Sequence, residues 1–257
     1  MGVLIIRKKD YVPLLFIAAV IILVIINSLI AKEYFEPVSN RYRDDIPIYS
    51  VECEGKKCAI TFDCAWGADD IPNILDTLDK YNAKGTFFIV GIWAKKYPEM
   101  VKLIYDRGHE IANHGYSHEH MGKIPENKIM EEITLCTDIL EEITGGKVNL
   151  FRPPYGEYSS TTIKVAKKME YQTIQWDVDS LDWKDTLSEH DIYNRVTKRT
   201  SNGSIILFHN DTKHTEEILP LILENLTNNG FECVKVSEIL LKENYKIRYD
   251  GRQIKDS

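Results

Sequence analysis

Hydrophobic and polar positions follow two alternating patterns along most of this chain. Short apolar runs such as CAITFD (58–63) and GTFFIV (85–90) predict buried strands, and the segments between such runs are helix-like. Further strands are predicted at 109–114, 149–152, 171–177, 203–209 and 231–236. Helices are predicted near 71–81, 97–107, 126–143, 160–169, 189–199 and 214–228. Strands that alternate with helices predict βαβ units and a parallel sheet, and roughly seven units predict a closed or nearly closed barrel.

The N-terminal region has a different pattern. The run PLLFIAAVIILVIINSLIA (13–31) carries no charge and is long enough to cross the roughly 30 Å of bilayer hydrocarbon as a helix. Arg7, Lys8 and Lys9 precede it, which predicts that residues 1–12 lie in the cytoplasm and the rest of the chain outside. A cleaved signal peptide is the alternative, but its apolar region is usually shorter and no clear cleavage site follows. We therefore predict a single-pass transmembrane helix over 13–31 in the cell membrane.

Three further segments follow the apolar run. Residues 32–47 are polar, contain two prolines and show no apolar period, so they are predicted to be a linker. The folded domain is predicted over 48–241. The charged tail at 242–257 is predicted to be frayed.

Composition and charge narrow the possible partners. With 44% hydrophobic and 28% charged residues, the chain is long enough for one large domain or two small ones. The net charge of −7 gives no basic surface for nucleic acid, so a neutral substrate is favoured. Five cysteines are too few for a disulfide-built fold. Cys53 and Cys58 flank a possible two-residue hairpin turn, which predicts either a disulfide in an oxidising exterior or two free or metal-binding thiols.

Candidate reactive residues fall at or just after the predicted strand ends, where barrels carry their chemistry. They are Asp63, His114, Arg152, Asp177 to Trp183 and His209. His114 and His118 are four residues apart, so both imidazoles could face one metal ion, although such pairs are more often surface residues. The RPPYG segment (152–156) predicts a stiff loop that would hold Arg152 and the backbone N–H of Tyr155 ready for a developing oxyanion.

Five short motifs in order resemble those of the NodB-type polysaccharide deacetylases. They are TFDCAW (61–66), NHGYSH (113–118), RPPYG (152–156), DVDSLDW (177–183) and LFHN (207–210). The resemblance covers residues 48–241. It implies a distorted (β/α) barrel, the NodB homology domain, that uses a divalent metal, above all zinc with cobalt or manganese as alternatives. The implied reaction removes acetyl groups from amino sugars of a polysaccharide such as peptidoglycan or a chitin-like glycan.

The resemblance also implies a role for each matching position. Asp63 corresponds to the general base, Arg152 to its partner, and His209 to the general acid tuned by Asp182. The metal ligands would be His114 and His118. Three substrate-contacting positions are implied as well: Tyr155, Trp183 and Leu207.

Two positions depart from the family pattern. The family usually has a second aspartate after the base as the third metal ligand, and this chain has Cys64; the residue after the first histidine is usually Ser or Thr, and here it is Gly115. Cys64 could supply a thiolate ligand, or it could be a small buried hydrophobic residue. Asp69 or Asp70 could replace it, although Asp70 is better explained as a helix N-cap.

Three functions therefore remain open at the level of sequence. The first is an N-deacetylase of a cell-wall glycan and the second an O-acetyl esterase of the acetylxylan type. The third is a catalytically silent glycan-binding wall protein that retains the fold; Asp63 and His209 argue against it, whereas the missing acidic ligand favours it.

Overall fold

The computed structural model describes residues 20–24 and 45–256. The chain divides into two units, Met1–Tyr42 and Arg43–Ser257, and only the helical residues 20–24 of the first unit are described. Apart from residues 20–24, the predicted transmembrane helix lies outside the described residues, as does most of the predicted linker. Within the described part of the chain, no helix is both long and apolar enough to span a bilayer.

The second unit alternates strands and helices as predicted. The strands are β1 (Ser50–Val51), β2 (Lys57–Cys64), β3 (Gly85–Ile89), β4 (Glu110–Asn113), β5 (Leu150–Phe151), β6 (Gln172–Thr173), β7 (Val178–Asp179), β8 (Ser204–His209), β9 (Glu232–Val234), β10 (Tyr245–Ile247) and β11 (Arg252–Lys255). The helices are α1 (Ile71–Lys80), α2 (Gly91–Lys96), α3 (Pro98–Asp106), α4 (Glu126–Thr144), α5 (Ser160–Lys168), α6 (Glu189–Arg199), α7 (Thr215–Asn228) and α8 (Val236–Ile239).

The described strands form one curled sheet in the order β10-β11-β1-β8-β2-β3-β4-β5-β6, while β7 pairs with β8 and β9 pairs with β2. From β8 through β6 the pairings along this order are parallel. A single parallel bridge between Ile48, just before β1, and Ile174, just after β6, brings the two sides of the sheet together. The predicted distorted barrel is thus confirmed in outline, with one narrow closure.

Strand β2 separates two packed regions by the alternation of its side chains. Ile60, Phe62 and Cys64 belong to the large core formed with the surrounding helices. Ala59 belongs to a second, smaller core cluster. Because successive side chains of a strand point to opposite faces, Asp63 lies on the same face as Ala59 and opposite to Cys64.

The predicted frayed tail is wrong. β10 and β11 form an antiparallel pair, and β11 joins the sheet beside β1 in parallel. The buried side-chain amide of Gln253 accepts the backbone N–H of Leu241 at 2.9 Å and donates to its carbonyl at 3.0 Å. These bonds anchor a charged segment in which Tyr245, Ile247 and Tyr249 alternate with charged residues, a pattern typical of a strand.

The predicted hairpin around Gly55 is also absent. β1 pairs with β8 and β11, and β2 pairs with β3, β8 and β9, so Cys53 and Cys58 do not lie on paired strands. The thiol of Cys53 donates to Oδ1 of Asn202 at 3.3 Å, and all five cysteines are free.

Candidate active site

Acid–base side chains meet at the carboxyl ends of the barrel strands. Asp63 on β2 and His209 on β8 are direct partners in the register of the two parallel strands. His114 directly follows β4, and Arg152 directly follows β5. The sequence prediction that these residues share one edge of the sheet is therefore met by the structure.

Asp63 is held by a buried guanidinium. Nη1 of Arg152 donates to Oδ1 of Asp63 at 2.6 Å and to the hydroxyl of Thr61 at 3.0 Å, while Nη2 donates to the carbonyl of Gln175 at 3.2 Å. Burial opposes ionisation of Asp63, but the charge and hydrogen bond of Arg152, together with the neighbouring rings of His114 and His209, outweigh it and hold the pKa of Asp63 below its usual range. This carboxylate is therefore ionised at neutral pH and can accept a proton.

His114 presents one ring nitrogen to this carboxylate. Its Nδ1 lies 2.8 Å from the carbonyl of Arg152, and since a carbonyl only accepts, Nδ1 carries the proton. Nε2 is then unprotonated and lies 3.4 Å from Oδ2 of Asp63. Burial lowers the pKa of His114, so the ring is neutral and suited to bind a metal.

His118 lies beside His114, with 5.1 Å between the ring centroids. Burial and the neighbouring His114 lower the pKa of His118 to about 4, so this imidazole is neutral as well. Its backbone has φ of 63°, in the left-handed region, so the loop must be held in place by other contacts. Glu132 supplies them: its carboxylate accepts the backbone N–H groups of Tyr116 and Ser117 at 2.9 and 2.8 Å and the hydroxyl of Ser117 at 2.7 Å.

His209 is paired with Asp182 on the other side of Asp63. Its Nδ1 lies 2.8 Å from Oδ1 of Asp182, and its backbone N–H donates to Oδ2 of Asp182 at 2.7 Å. Thr215 donates a third hydrogen bond to Asp182 at 2.6 Å. Burial opposes protonation of His209, but the hydrogen bond and charge of Asp182 outweigh it and raise the pKa of His209. Nε2 is left to exchange a proton with a bound ligand.

Asp63, His114, His118 and His209 line one cavity of about 400 Å³. Its walls include three of the predicted substrate positions, Tyr155, Trp183 and Leu207. They also include Asp179, which lies in the predicted reactive segment Asp177 to Trp183, and Trp66 and Trp176, which were not predicted as site residues. Trp66 and Trp183 are more than half exposed, at 58% and 55%. The sequence signal for Trp66 was its place three residues after Asp63, inside the motif TFDCAW.

Cys64 does not join the histidines. Its side chain is fully buried in the core on the opposite face of β2, and burial raises the pKa of the thiol well above its usual range. Asp70 accepts the backbone N–H of Asp211 at 2.7 Å and makes no side-chain cap for α1, so the N-cap prediction is wrong in that detail. In the part of the chain that the structure describes, no group of three His, Cys, Asp or Glu side chains could hold a metal ion. Of the three ligand positions that the resemblance implies, His114 and His118 lie beside each other and Cys64 lies apart from them.

Ionisable side chains that share a cavity at the strand ends are typical of the active sites of α/β-barrel proteins. Residues 50–174 match the profile of the family called polysaccharide deacetylase. A peptidoglycan-N-acetylglucosamine deacetylase of Bacillus cereus is 35% identical over 190 residues, which are 72% of this chain and 88% of that protein. Peptidoglycan-N-acetylmuramic acid deacetylase PdaA of Bacillus subtilis is 29% identical over 195 residues, 75% of this chain and 74% of that protein. The chain belongs to the polysaccharide deacetylase family, as its motifs predicted.

A solved structure adds a contrast. The wild-type form of a CE4 family pseudoenzyme from Bacillus anthracis has a TM-score of 0.73 and 30% identity, and the match covers 82% of this chain and 73% of that chain. A mutant of that pseudoenzyme, whose structure is also solved, is described as having restored enzymatic activity. Two further relatives are longer than this chain, which spans 60% and 54% of their lengths.

Proposed function

We propose that this chain hydrolyses the N-acetyl group of an amino sugar in peptidoglycan. The observation that carries the proposal is that Asp63 and His209 are partners in neighbouring strands and line the same cavity. The pKa of Asp63 is lowered there and the pKa of His209 is raised. An ionised carboxylate and a protonated imidazole in one site are the base and acid that amide hydrolysis requires. Relatives that act on both peptidoglycan sugars support this class of substrate without choosing between the sugars.

In this mechanism, Asp63 accepts a proton from the attacking water, and Arg152 keeps the carboxylate ionised between turnovers. His209 donates a proton to the departing amine, and Asp182 holds its ring in the tautomer that leaves Nε2 for the substrate. Leu207 and Trp183 form the walls of the acetyl pocket, and the backbone N–H of Tyr155 stabilises the developing oxyanion.

His114 and His118 are the residues that would hold a divalent metal, above all zinc. When bound, such an ion lowers the pKa of a coordinated water and polarises the carbonyl. We propose that this chain binds the ion more weakly than relatives with a third acidic ligand do, because Cys64 faces the core.

A second candidate function rests on that same residue. A chain that lacks the third ligand could bind glycan without cleaving it, and a structural relative is described as a pseudoenzyme. The cavity with its exposed tryptophans would serve either function.

Release of acetate separates the two candidates. The purified chain is incubated with peptidoglycan, chitin oligomers and acetylxylan, each with zinc, cobalt or manganese supplied. Acetate from peptidoglycan supports the proposed deacetylase, and acetate from acetylxylan alone would indicate an esterase. If the chain binds glycan but releases no acetate with any of the three metals, it is the catalytically silent binding protein.

We also propose that the chain is a single-pass protein of the cell membrane with its folded domain outside the cytoplasm. Peptidoglycan lies outside the cytoplasm, which agrees with the predicted transmembrane helix over 13–31 and an extracytoplasmic domain. Protease treatment of intact cells should cleave the domain if this orientation is correct.

A further inference from the structure

Two buried thiols from distant parts of the sequence meet in the sheet. Cys58 on β2 and Cys233 on β9 are register partners in parallel strands, although they are 175 residues apart in the chain. Their Sγ atoms lie 3.7 Å apart. Both side chains are buried, so the pair is shielded from solvent in the folded protein.

The positions of these two cysteines permit a covalent bond. Neighbouring strands lie roughly 4.7–4.9 Å apart, which falls within the roughly 4.4–6.8 Å between Cα atoms that disulfides span. Side-chain rotation, with a small adjustment of the strands, would bring the sulfur atoms to the bonded distance of about 2.0 Å. The other thiols have different surroundings: Cys136 donates to the carbonyl of Ile89 at 3.3 Å, and Cys53 donates to Asn202.

We propose that Cys58 and Cys233 form an intramolecular disulfide when the chain folds in an oxidising compartment. The oxidant is an external disulfide, either a small molecule or an oxidising protein. One thiolate attacks it and releases one thiol, and the second thiolate then displaces the other thiol from the mixed disulfide. Two protein thiols lose two protons and two electrons, and the external disulfide becomes two thiols.

The link would join β2, the strand that carries Asp63, to β9. A bond that closes a loop of 175 residues restricts the unfolded chain strongly. The main effect of the disulfide would therefore be a higher stability of the folded chain. It depends only on folding and an oxidant, so it can be tested whether or not the chain deacetylates glycan.

Refolding under a defined redox buffer tests the bond directly. The full chain is unfolded and reduced, refolded in mild detergent with reduced and oxidised glutathione, alkylated and digested for mass mapping. We expect the peptides that contain Cys58 and Cys233 to be joined, and Cys53, Cys64 and Cys136 to be alkylated. Alkylation of both Cys58 and Cys233 in the refolded protein would overturn the proposal.

Thermal unfolding gives a second, independent measurement. Reductant should lower the Tm of the oxidised chain by about 5–10 °C. Cys233→Ala should have the same Tm with and without reductant, whereas Cys136→Ala, which removes an equally buried thiol, should keep the dependence on reductant. An equal response to reductant in wild type and Cys233→Ala would contradict the bond.

Discussion

Arg152 holds Asp63 with its side chain and His114 with its backbone. Its Nη1 lies 2.6 Å from Oδ1 of Asp63, while its carbonyl lies 2.8 Å from Nδ1 of His114. The guanidinium is fully buried and lies over the ring of Phe88, 3.9 Å from the centroid. One residue after β5 therefore sets the charge of the proposed base and the tautomer of the first histidine together. Rigid support of this kind keeps catalytic groups in place before the substrate binds.

Asp63→Asn tests the proposed base. The amide keeps the shape of the side chain but cannot accept the proton of water, so deacetylation should fall by about two to four orders of magnitude. Acetate release should be measured beside circular dichroism, because the buried charge of Arg152 loses its partner. Asp69→Asn removes an exposed carboxylate in the loop that follows β2 and should keep the wild-type rate. A rate for Asp63→Asn within tenfold of wild type would exclude the assigned role.

Asp182→Asn tests the proposed acid through the pH profile. His209 must be protonated to donate, and Asp182 raises the pKa of His209, which keeps the proton to higher pH. Without that charge the ring loses its proton at lower pH, so the alkaline limb of the kcat profile should move to lower pH. Asp185→Asn, at an exposed position, is the control and should leave the profile unchanged. An unmoved alkaline limb in Asp182→Asn would show that His209 is not the group observed.

The sequence predicted the elements whose signals are local. Helix α6 has the predicted bounds, and its N-terminus is fixed by a capping box between Ser188 and Asp191. The predicted strand at 171–177 shrinks to Gln172–Thr173, because strand length depends on the partner strand as well as on propensity. The hairpin of β10 and β11 does have a local signal, because Tyr245 and Ile247 alternate with charged residues before Asp250-Gly251. The predicted frayed tail rested on the charge of this segment alone.

The residues of the candidate site that belong to the five sequence motifs could be predicted. Asp63, His114, Arg152 and His209 meet because the carboxyl ends of parallel strands share one edge of the sheet. The face of the sheet on which Cys64 lies follows from the alternation of side chains along β2: neighbours in a strand point to opposite faces, so Asp63 and Cys64 cannot both face the site. The contact between Cys58 and Cys233 could not be predicted, because nothing local in either segment specifies its partner strand.

Substitutions of Cys64 test its place in the core. Because the thiol faces away from the histidines, Cys64→Ala should leave zinc affinity within about twofold of wild type and lower stability slightly. Cys64→Asp would place a carboxylate in an apolar core and should lower the free energy of unfolding by several kcal/mol. Zinc titration and urea unfolding check both outcomes. A sharp loss of zinc affinity in Cys64→Ala would restore the thiolate as a ligand.

Trp66 should contribute to glycan binding. Its ring is exposed at the cavity and contacts the edge of His118, with 5.4 Å between the centroids. An exposed indole beside the site offers a flat face to a sugar ring. Trp66→Ala should raise KM for long glycan fragments by about tenfold with little change in kcat. Trp66→Phe, which keeps an aromatic ring, should raise KM less. Trp183→Ala should instead lower kcat, because Trp183 is assigned to the acetyl pocket. An unchanged KM in Trp66→Ala would exclude the contact.

His109 should make stability depend on pH, away from the site. Its Nδ1 accepts the backbone N–H of Gly85 at 3.1 Å, and burial lowers the pKa of this histidine to about 4. In the unfolded chain the same group titrates near its ordinary value of about 6.5. Below that pH the unfolded chain binds a proton that the folded chain refuses, so stability is lost as pH falls from about 6.5 to about 4. The loss between pH 6.5 and 5 should be about 2 kcal/mol from this residue.

Urea unfolding at several pH values measures that slope. His109→Gln should be less stable than wild type at pH 7, since Gly85 loses a well-placed acceptor, but its stability should fall less steeply toward pH 5. The buried histidines at the candidate site also contribute to the wild-type slope, so the difference between the two slopes isolates His109. His190→Gln, on the exposed face of α6, should keep the wild-type slope. Equal slopes for His109→Gln and wild type would mean that the pKa of His109 is the same in the folded and the unfolded chain, because only a group whose pKa differs between the two states can couple folding to pH.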